Sequence, residues 1–359
     1  MSTPSKTLVI RFSSIGDIVL STPLLRVLRA TFPKIQLDYV TRTEYAELVR
    51  HNQNVNLVHE YDVREGFEGL RRLKQKLRDE AYDTVVDIHG SLRSIFLRTG
   101  LGAQRVFTID KRKYERFMLV HLKKNLYRSI VSVADRYIEP LEAIGVRSDG
   151  KGPELHIPDE VLFGVSGKMA TLQLHRFERT IGLCPTARHF TKRWPDDRFV
   201  ALGVRFAREE DGKVLIFGGK DDRHLTSTIA ARINAEAGAE RATDLSGQFS
   251  LLETAAAMEY CDVVVTNDSG LMHIASAMHK KLVAVFGSTV REFGFFPYGG
   301  IVVERTGLGC RPCSHIGRPS CPEGHLRCLK EIDVEEVYQR VHQLVHQEIP
   351  ERQHLGRGS

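Results

Sequence analysis

The sequence predicts an α/β protein of two domains, each a parallel sheet flanked by helices. Three observations carry this expectation. Short apolar runs alternate with helical patterns, a cluster of breakers divides the chain, and the same alternation restarts beyond it. The chain has 359 residues, 42% of them hydrophobic and 27% charged. At about 100–200 residues per domain this is enough for two buried cores, and it is too apolar for a disordered chain.

Thr7–Arg11 reads as a buried strand and Phe12-Ser13-Ser14-Ile15-Gly16-Asp17 as a tight polar turn. Val19, Leu20, Leu24, Val27 and Leu28 then read as the apolar face of one helix. Gln36–Val40, after Pro33, and Thr84–Ile88 are further strands, with helical spacing over Gly69–Arg78. Asp149-Gly150-Lys151-Gly152-Pro153 and Pro158 mark a linker, so domains are expected at 1–158 and 159–330. In the second half Arg179–Leu183, Val214–Phe217, Asp262–Thr266 and Leu282–Phe286 read as strands and Asp196–Ala207 as a helix. Such near-continuous apolar strands suit parallel sheets covered on both faces. Val334–Val345 is an amphipathic helix within a final segment, 331–350, and 351–359 is polar enough to fray.

The formal net charge is +6, and the excess is local: ten Lys or Arg stand against Asp110 and Glu115 between Ile88 and Arg128. Such a patch suits an anionic partner. No aromatic-interleaved basic motif accompanies it, so nucleic acid is not the expected partner. Apolar runs fall far short of the roughly 18 residues of a spanning helix. Arg11 interrupts the first apolar stretch, which is no secretory signal, so a cytoplasmic protein is expected.

Ligands of open parallel sheets gather beyond the carboxyl ends of the strands, which singles out three loops. The first, Ser13-Ser14-Ile15-Gly16-Asp17, lacks the Gly-x-Gly-x-x-Gly spacing of a dinucleotide loop, which disfavours an oxidoreductase. Asp17 opens a helix, where a carboxylate serves as an N-cap, as a general base, or as both. The second, Asn267-Asp268-Ser269-Gly270, precedes a helix through Leu271, Ile274 and Met278. Ser269 and Gly270 offer amides to an anion, His273 a further donor; capping and a structural histidine are the plain alternatives. The third, Cys184 to Pro195, is basic: Arg188 and Lys192 suit a pyrophosphate with Trp194 packed beneath, against the alternative of a solvated loop.

Taken in order, Phe12–Pro23, Thr191-Lys192-Arg193-Trp194-Pro195 and Asn267-Asp268-Ser269-Gly270-Leu271-Met272-His273 resemble glycosyltransferase family 9, the ADP-heptose:lipopolysaccharide heptosyltransferases. Asp87–Ser94, Asp244-Leu245-Ser246-Gly247 and Phe286-Gly287-Ser288-Thr289 add to the resemblance, which covers about residues 7 to 345. It implies a GT-B fold: two Rossmann-like domains facing across a cleft, with a C-terminal helix returning to the N-terminal domain. It also implies inverting, metal-independent and cofactor-free transfer of heptose from ADP-heptose to an anionic lipid A–Kdo type acceptor. That reaction builds the inner core of lipopolysaccharide on the cytoplasmic face of a Gram-negative inner membrane, with peripheral membrane contact. Carried over residue by residue, Asp17 is the expected base. Arg188, Lys192, Asp222, Asp268, Ser269, Gly270, Leu271 and His273 are expected at the donor, and Ser14, Gly16 and Arg93 at the acceptor. Thr186 and Met272 depart from the family's usual Gly and Pro.

The absence of any Asp-x-Asp agrees with metal independence, since the leaving diphosphate must then be stabilised by fixed cations and helix amides. Cys310, Cys313, Cys321 and Cys328 carry the ligand types of a tetrahedral structural site, with reduced thiols the alternative in a cytoplasmic protein. Cys184 and Cys261 are expected in the core. A GT-B enzyme using another nucleotide sugar, as transferase or epimerase, and a non-catalytic nucleotide-sugar binder remain the competing functions.

Overall fold

The computed structural model describes residues 3–347. Two parallel sheets form, as the alternating pattern requires. The first contains β1 (Lys6–Ile10), β2 (Gln36–Arg42), β3 (Leu57–Tyr61), β4 (Thr84–Asp87) and β5 (Arg105–Thr108), in the order β3-β2-β1-β4-β5. The second contains β6 (Arg179–Cys184), β7 (Gly212–Ile216), β8 (Ala242–Asp244), β9 (Val263–Asn267), β10 (Lys281–Phe286) and β11 (Ile301–Glu304), in the order β11-β10-β9-β6-β7-β8. In each sheet the order reverses beside the first strand of that half. The β1–β4 pair, with Ile10 opposite Asp87, and the β6–β9 pair, with Cys184 opposite Thr266, are therefore the two switch points.

The central strands are those the apolar runs predict. Strands β3, β5, β8 and β11 were not expected; they are short, lie outside the central pairs, and show mixed burial. Half-solvated flanking strands need no unbroken apolar run.

Two further expectations are corrected. The single helix expected after the first turn is two helices, Ile15–Val19 and Thr22–Thr31. Pro23 starts the second, and the hydroxyls of Ser21 and Thr22 donate to the carbonyls of Ile18 and Val19 at 2.7 and 2.8 Å. A proline without an N–H and two hydroxyls that satisfy terminal carbonyls end one helix and start another. The second correction concerns the final helix, Val334–His346, which does not return to the first domain. Its apolar stripe, Val337, Tyr338, Val341 and Val345, is buried in the cluster that holds Ile181, Trp194, Phe199 and Val283 of the second sheet and its helices. A stripe at helical spacing covers the apolar face nearest it, here the sheet from which the chain has just emerged. The expected fraying over 351–359 lies outside the described residues.

The halves are joined by more than the linker. The Glu47 carboxylate of the first half accepts from the amides of Leu251 and Leu252, at 3.0 and 3.3 Å, and so caps the helix Leu251–Met258 of the second. Val133 N–H donates to Gly294 O at 3.0 Å, and Tyr298 meets Asp135 and Ser132. A single apolar cluster contains Val9, Leu37 and Tyr137 from one half and Phe217, Val264 and Met272 from the other.

The packing of the final helix is testable. Val341→Asp places a charge on a fully buried position with no partner, which costs about 2 kcal/mol or more. The thermal unfolding midpoint should fall by several degrees. An unchanged midpoint would show that this face is not covered by the second sheet.

Candidate active site

All three motif loops sit at the two switch points. The first follows β1, the basic loop follows β6, and the Asp268–Ser269 turn follows β9. Residues 88–91 follow β4 and Gly287–Thr289 follow β10, so the remaining motif fragments join the same ends.

Asp17 is not the N-cap. Ser14 holds that position, and Asp17, three residues on, accepts from Ser14 N–H at 3.0 Å and Ser14 Oγ at 2.8 Å through Oδ2. Its other oxygen, Oδ1, lies 2.6 Å from Arg11 Nη2 and accepts from Tyr137 Oη at 3.1 Å. Burial alone would raise the pKa of this carboxyl. The Arg11 charge and the Ser14 hydrogen bonds outweigh it, so the pKa falls below the usual carboxylate value and Asp17 is ionised near neutral pH. Arg11 is fixed in turn by donating to Ser13 O at 2.7 Å and Ile88 O at 2.6 Å.

Across from Asp17 stands the helix Gly270–Ala277, which follows β9. Ser269 occupies its N-cap position, yet the buried Ser269 Oγ has no hydrogen-bond partner. His273, one turn further, is buried with Nδ1 also unpartnered. Burial, opposed in part by Asp268 and Asp17, pushes its pKa down to about 4, which leaves a neutral imidazole at pH 7. Asp268 caps nothing: its Oδ2 lies 2.7 Å from Lys192 Nζ and accepts from Thr289 Oγ1 at 2.6 Å. Asn267 joins the loops beneath, accepting from Trp194 N–H at 2.9 Å and donating to Pro185 O at 2.7 Å. Trp194 is fully buried, as its expected place under the basic loop requires.

The two helices meet through glycines. A Cβ on Gly16 would come within 2.5 Å of His273 Cδ2, and one on Gly270 within 3.0 Å of Ile15 Cβ. Only residues without side chains permit this approach. The structure therefore brings Ser14, Gly16 and Asp17 together with Lys192, Asp268, Ser269, Gly270 and His273. Leu271 is half-buried against the apolar cluster between them.

Other expected residues stand apart from this contact. Asp222 accepts from Thr186 Oγ1 at 3.0 Å and from Gly219 N–H at 2.9 Å, which ties the basic loop to the turn after β7. Arg188 is exposed, close enough to Tyr45 of the first half for its charge to act there. Arg93 is exposed on the helix Leu92–Arg98. Cys184 and Cys261 are buried thiols. Cys310, Cys313, Cys321 and Cys328 are free and line one small cavity beside Thr191 and Ser288, but no three of their sulfurs lie within 4.8 Å of one another.

Sequence reasoning missed Arg11, Tyr137 and Thr289. Arg11 ends an apolar strand right at the motif loop, a placement that signals a buried partner for a neighbouring acid. Tyr137 lies 120 residues from Asp17 and carries no local signal. His89, within the motif fragment Asp87–Ser94, is a further residue of this region. It is half-buried with Nδ1 buried and unpartnered, and partial burial with the nearby Arg11 and Lys111 charges pushes its pKa down to about 3.

The chain matches the family model "Glycosyltransferase family 9 (heptosyltransferase)" over residues 70–319. It is 28% identical over 305 residues to lipopolysaccharide heptosyltransferase 2 of Salmonella typhimurium, covering 80% of this chain and 84% of that one. Among solved structures, a glycosyl transferase family 9 protein from Veillonella parvula superposes with a TM-score of 0.80 at 24% identity, covering 96% and 98% of the two chains. The ADP-heptose lps heptosyltransferase II of Escherichia coli superposes with a TM-score of 0.70 at 24% identity, covering 95% and 98%. A family match across most of the chain, two facing parallel sheets and three motif loops gathered at their switch points lead to one conclusion: this chain belongs to glycosyltransferase family 9, with its GT-B fold.

Proposed function

We propose that this glycosyltransferase moves heptose from ADP-heptose to the anionic inner core of lipopolysaccharide, with inversion and without a metal. The observation that carries the reading is the meeting of Asp17, on the first half, with Lys192, Ser269 and His273, on the second. An acceptor hydroxyl beside Asp17 attacks the anomeric carbon, its proton passes to the carboxylate, and the C–O bond to the diphosphate breaks. The charge that develops on the diphosphate falls to Lys192 and to the amides of Ser269 and Gly270 at the helix N-terminus. The partnerless Ser269 hydroxyl is a further donor for an anion. Asp268, a buried carboxylate already engaged with Lys192 and Thr289, acts by positioning Lys192, because an ionised carboxylate placed against a phosphate would repel it. Asp222 acts likewise on the loop that carries Arg188.

The pairing with Arg11 makes Asp17 a weak base but keeps it ionised near neutral pH. Proton transfer of this kind gains from being concerted with bond breaking, when the acceptor oxygen turns acidic.

The acceptor side is the basic stretch from Arg93 to Arg128, together with Ser14 and Gly16 at the loop. It exposes Tyr114, Phe117, Leu122 and Leu126 among its lysines and arginines, with exposed Leu92 and Ile130 flanking it. Apolar tips among cations fit a lipid-bearing anionic acceptor in a membrane surface, where each Lys or Arg contributes about 1 kcal/mol. Among the described residues no helix is long and apolar enough to cross a membrane.

Two variants and a pH profile test these assignments. Asp17→Asn keeps the shape of the loop and removes the base, so kcat should fall about 10²–10⁴-fold with ADP-heptose still bound. Lys192→Ala should lower kcat by about 10²–10³-fold. Because the Asp17 pKa is lowered, the active ionised form persists as pH falls, and wild-type kcat should stay level from pH 7 down to about 5, above the usual carboxylate value of about 3.9. Near-normal turnover of either variant, or an acid limb centred above pH 6 that disappears in Asp17→Asn, contradicts the roles. Separately, the protein should sediment with vesicles containing phosphatidylglycerol in a salt-sensitive way, and Phe117→Asp should weaken this. Equal recovery with purely zwitterionic vesicles would remove the electrostatic part of the reading.

A further inference from the structure

A second cluster of ligand-type side chains lies away from the loops just described. Glu210 terminates the helix Asp196–Glu209, and its carboxylate is almost fully buried under the final helix, Val334–His346. His342 Nδ1 stands 2.7 Å from Glu210 Oε1 and His346 Nε2 stands 2.9 Å from Oε2. One oxygen and two nitrogens from these residues lie within 4.8 Å of one another. We propose that Glu210, His342 and His346 form a binding site for a divalent transition ion of the zinc class, which clasps the final helix to the helix it crosses.

The arrangement has the features such an ion selects. Two histidines four residues apart project from the same face of a helix and approach an ion together. Imidazole nitrogens with one carboxylate oxygen suit zinc, nickel and copper better than magnesium or calcium, which prefer all-oxygen sets. The carboxylate is already oriented from behind: Tyr338 Oη donates to Glu210 Oε1 at 2.8 Å, the kind of outer contact that fixes a ligand. Arg205 lies 4.0 Å over the Tyr338 ring and is itself held by Glu209 and Glu335, so the local cation is drawn off to other acids. Both imidazoles are about half exposed, which leaves an entry path and room for water on the open side. Each imidazole nitrogen stands at hydrogen-bond distance from a Glu210 oxygen. Ion–ligand bonds of about 2.0–2.2 Å would push them apart by only a few tenths of an ångström, a movement within reach of two half-exposed rings.

None of the three residues is part of the candidate active site, so the ion is structural. It adds a cross-link between two packed helices that exists only in the folded chain, and therefore stabilises the fold by binding it selectively.

The test uses the full chain without a polyhistidine tag, stripped with chelator and dialysed against Zn²⁺ alone, with bound metal measured by mass spectrometry and unfolding followed by heat. One zinc should be retained per chain through this site, with a rise of several degrees in the unfolding midpoint. His342→Ala and His346→Ala, both half exposed and checked for folding by circular dichroism, should each weaken binding tenfold or more and abolish the rise. The four-cysteine cavity is the control. If the zinc persists in the His342→Ala/His346→Ala protein and is lost in Cys310→Ser/Cys313→Ser, the ion belongs to the cysteines and the proposal fails. Absence of bound zinc from the wild-type chain also overturns it.

Discussion

The structure depends on one close approach. Gly16 on the first half and Gly270 on the second let two short helices from different sheets lie against each other, and a Cβ at either position would have to displace His273 or Ile15. Each helix starts where its own sheet leaves a crevice, beyond the carboxyl ends of strands that diverge at a switch point. The contact therefore joins two crevices that separate folds could not align on their own. Glu47 capping the helix Leu251–Met258, and the shared apolar cluster, reinforce the same alignment from other sides.

Charge is distributed across this contact in a way that favours transfer. The first half contributes a buried carboxylate held ionised by Arg11, and the second a cation held by Asp268 beside a helix N-terminus whose Ser269 hydroxyl has no protein partner. Between them His273 is neutral at pH 7, so it neither competes with Arg11 for the carboxylate nor repels Lys192. Such a field is set before substrate arrives and needs no reorganisation during the reaction, which is where protein dipoles and charges outperform water.

Much of this was legible in the residues. Strands β1, β2, β4, β6, β7, β9 and β10 announce themselves because sheets covered on both faces demand unbroken apolar runs. The flanking strands β3, β5, β8 and β11 do not, since their half-exposed faces leave the pattern mixed. The break at Ser21 was hidden because the apolar spacing runs across it without a slip, while Pro23 and two hydroxyls decide the matter locally. The final helix was misplaced by analogy; Val337, Val341 and Val345 record that one face is covered but not by which sheet. At the site, loop position and residue type pointed to Asp17, Lys192 and Ser269. Tyr137 was out of reach, and Thr289, although part of a motif fragment, gave no sign of its partner Asp268, because both pairings are set by tertiary packing rather than by spacing. The pairing of Lys192 with Asp268 was equally invisible, with 75 residues between them.

The claim that the halves must meet through glycine for the chemistry to occur is tested most directly by Gly16→Ala. The added methyl group falls 2.5 Å from a buried imidazole, so the helices must part while each half keeps its own fold. Displacements of about 1 Å cost up to about 10²-fold in rate. The account predicts ADP-heptose affinity within about threefold of wild type and a kcat lowered tenfold or more. A variant that turns over at the wild-type rate, with the same donor affinity, would show that this contact does not govern the reaction.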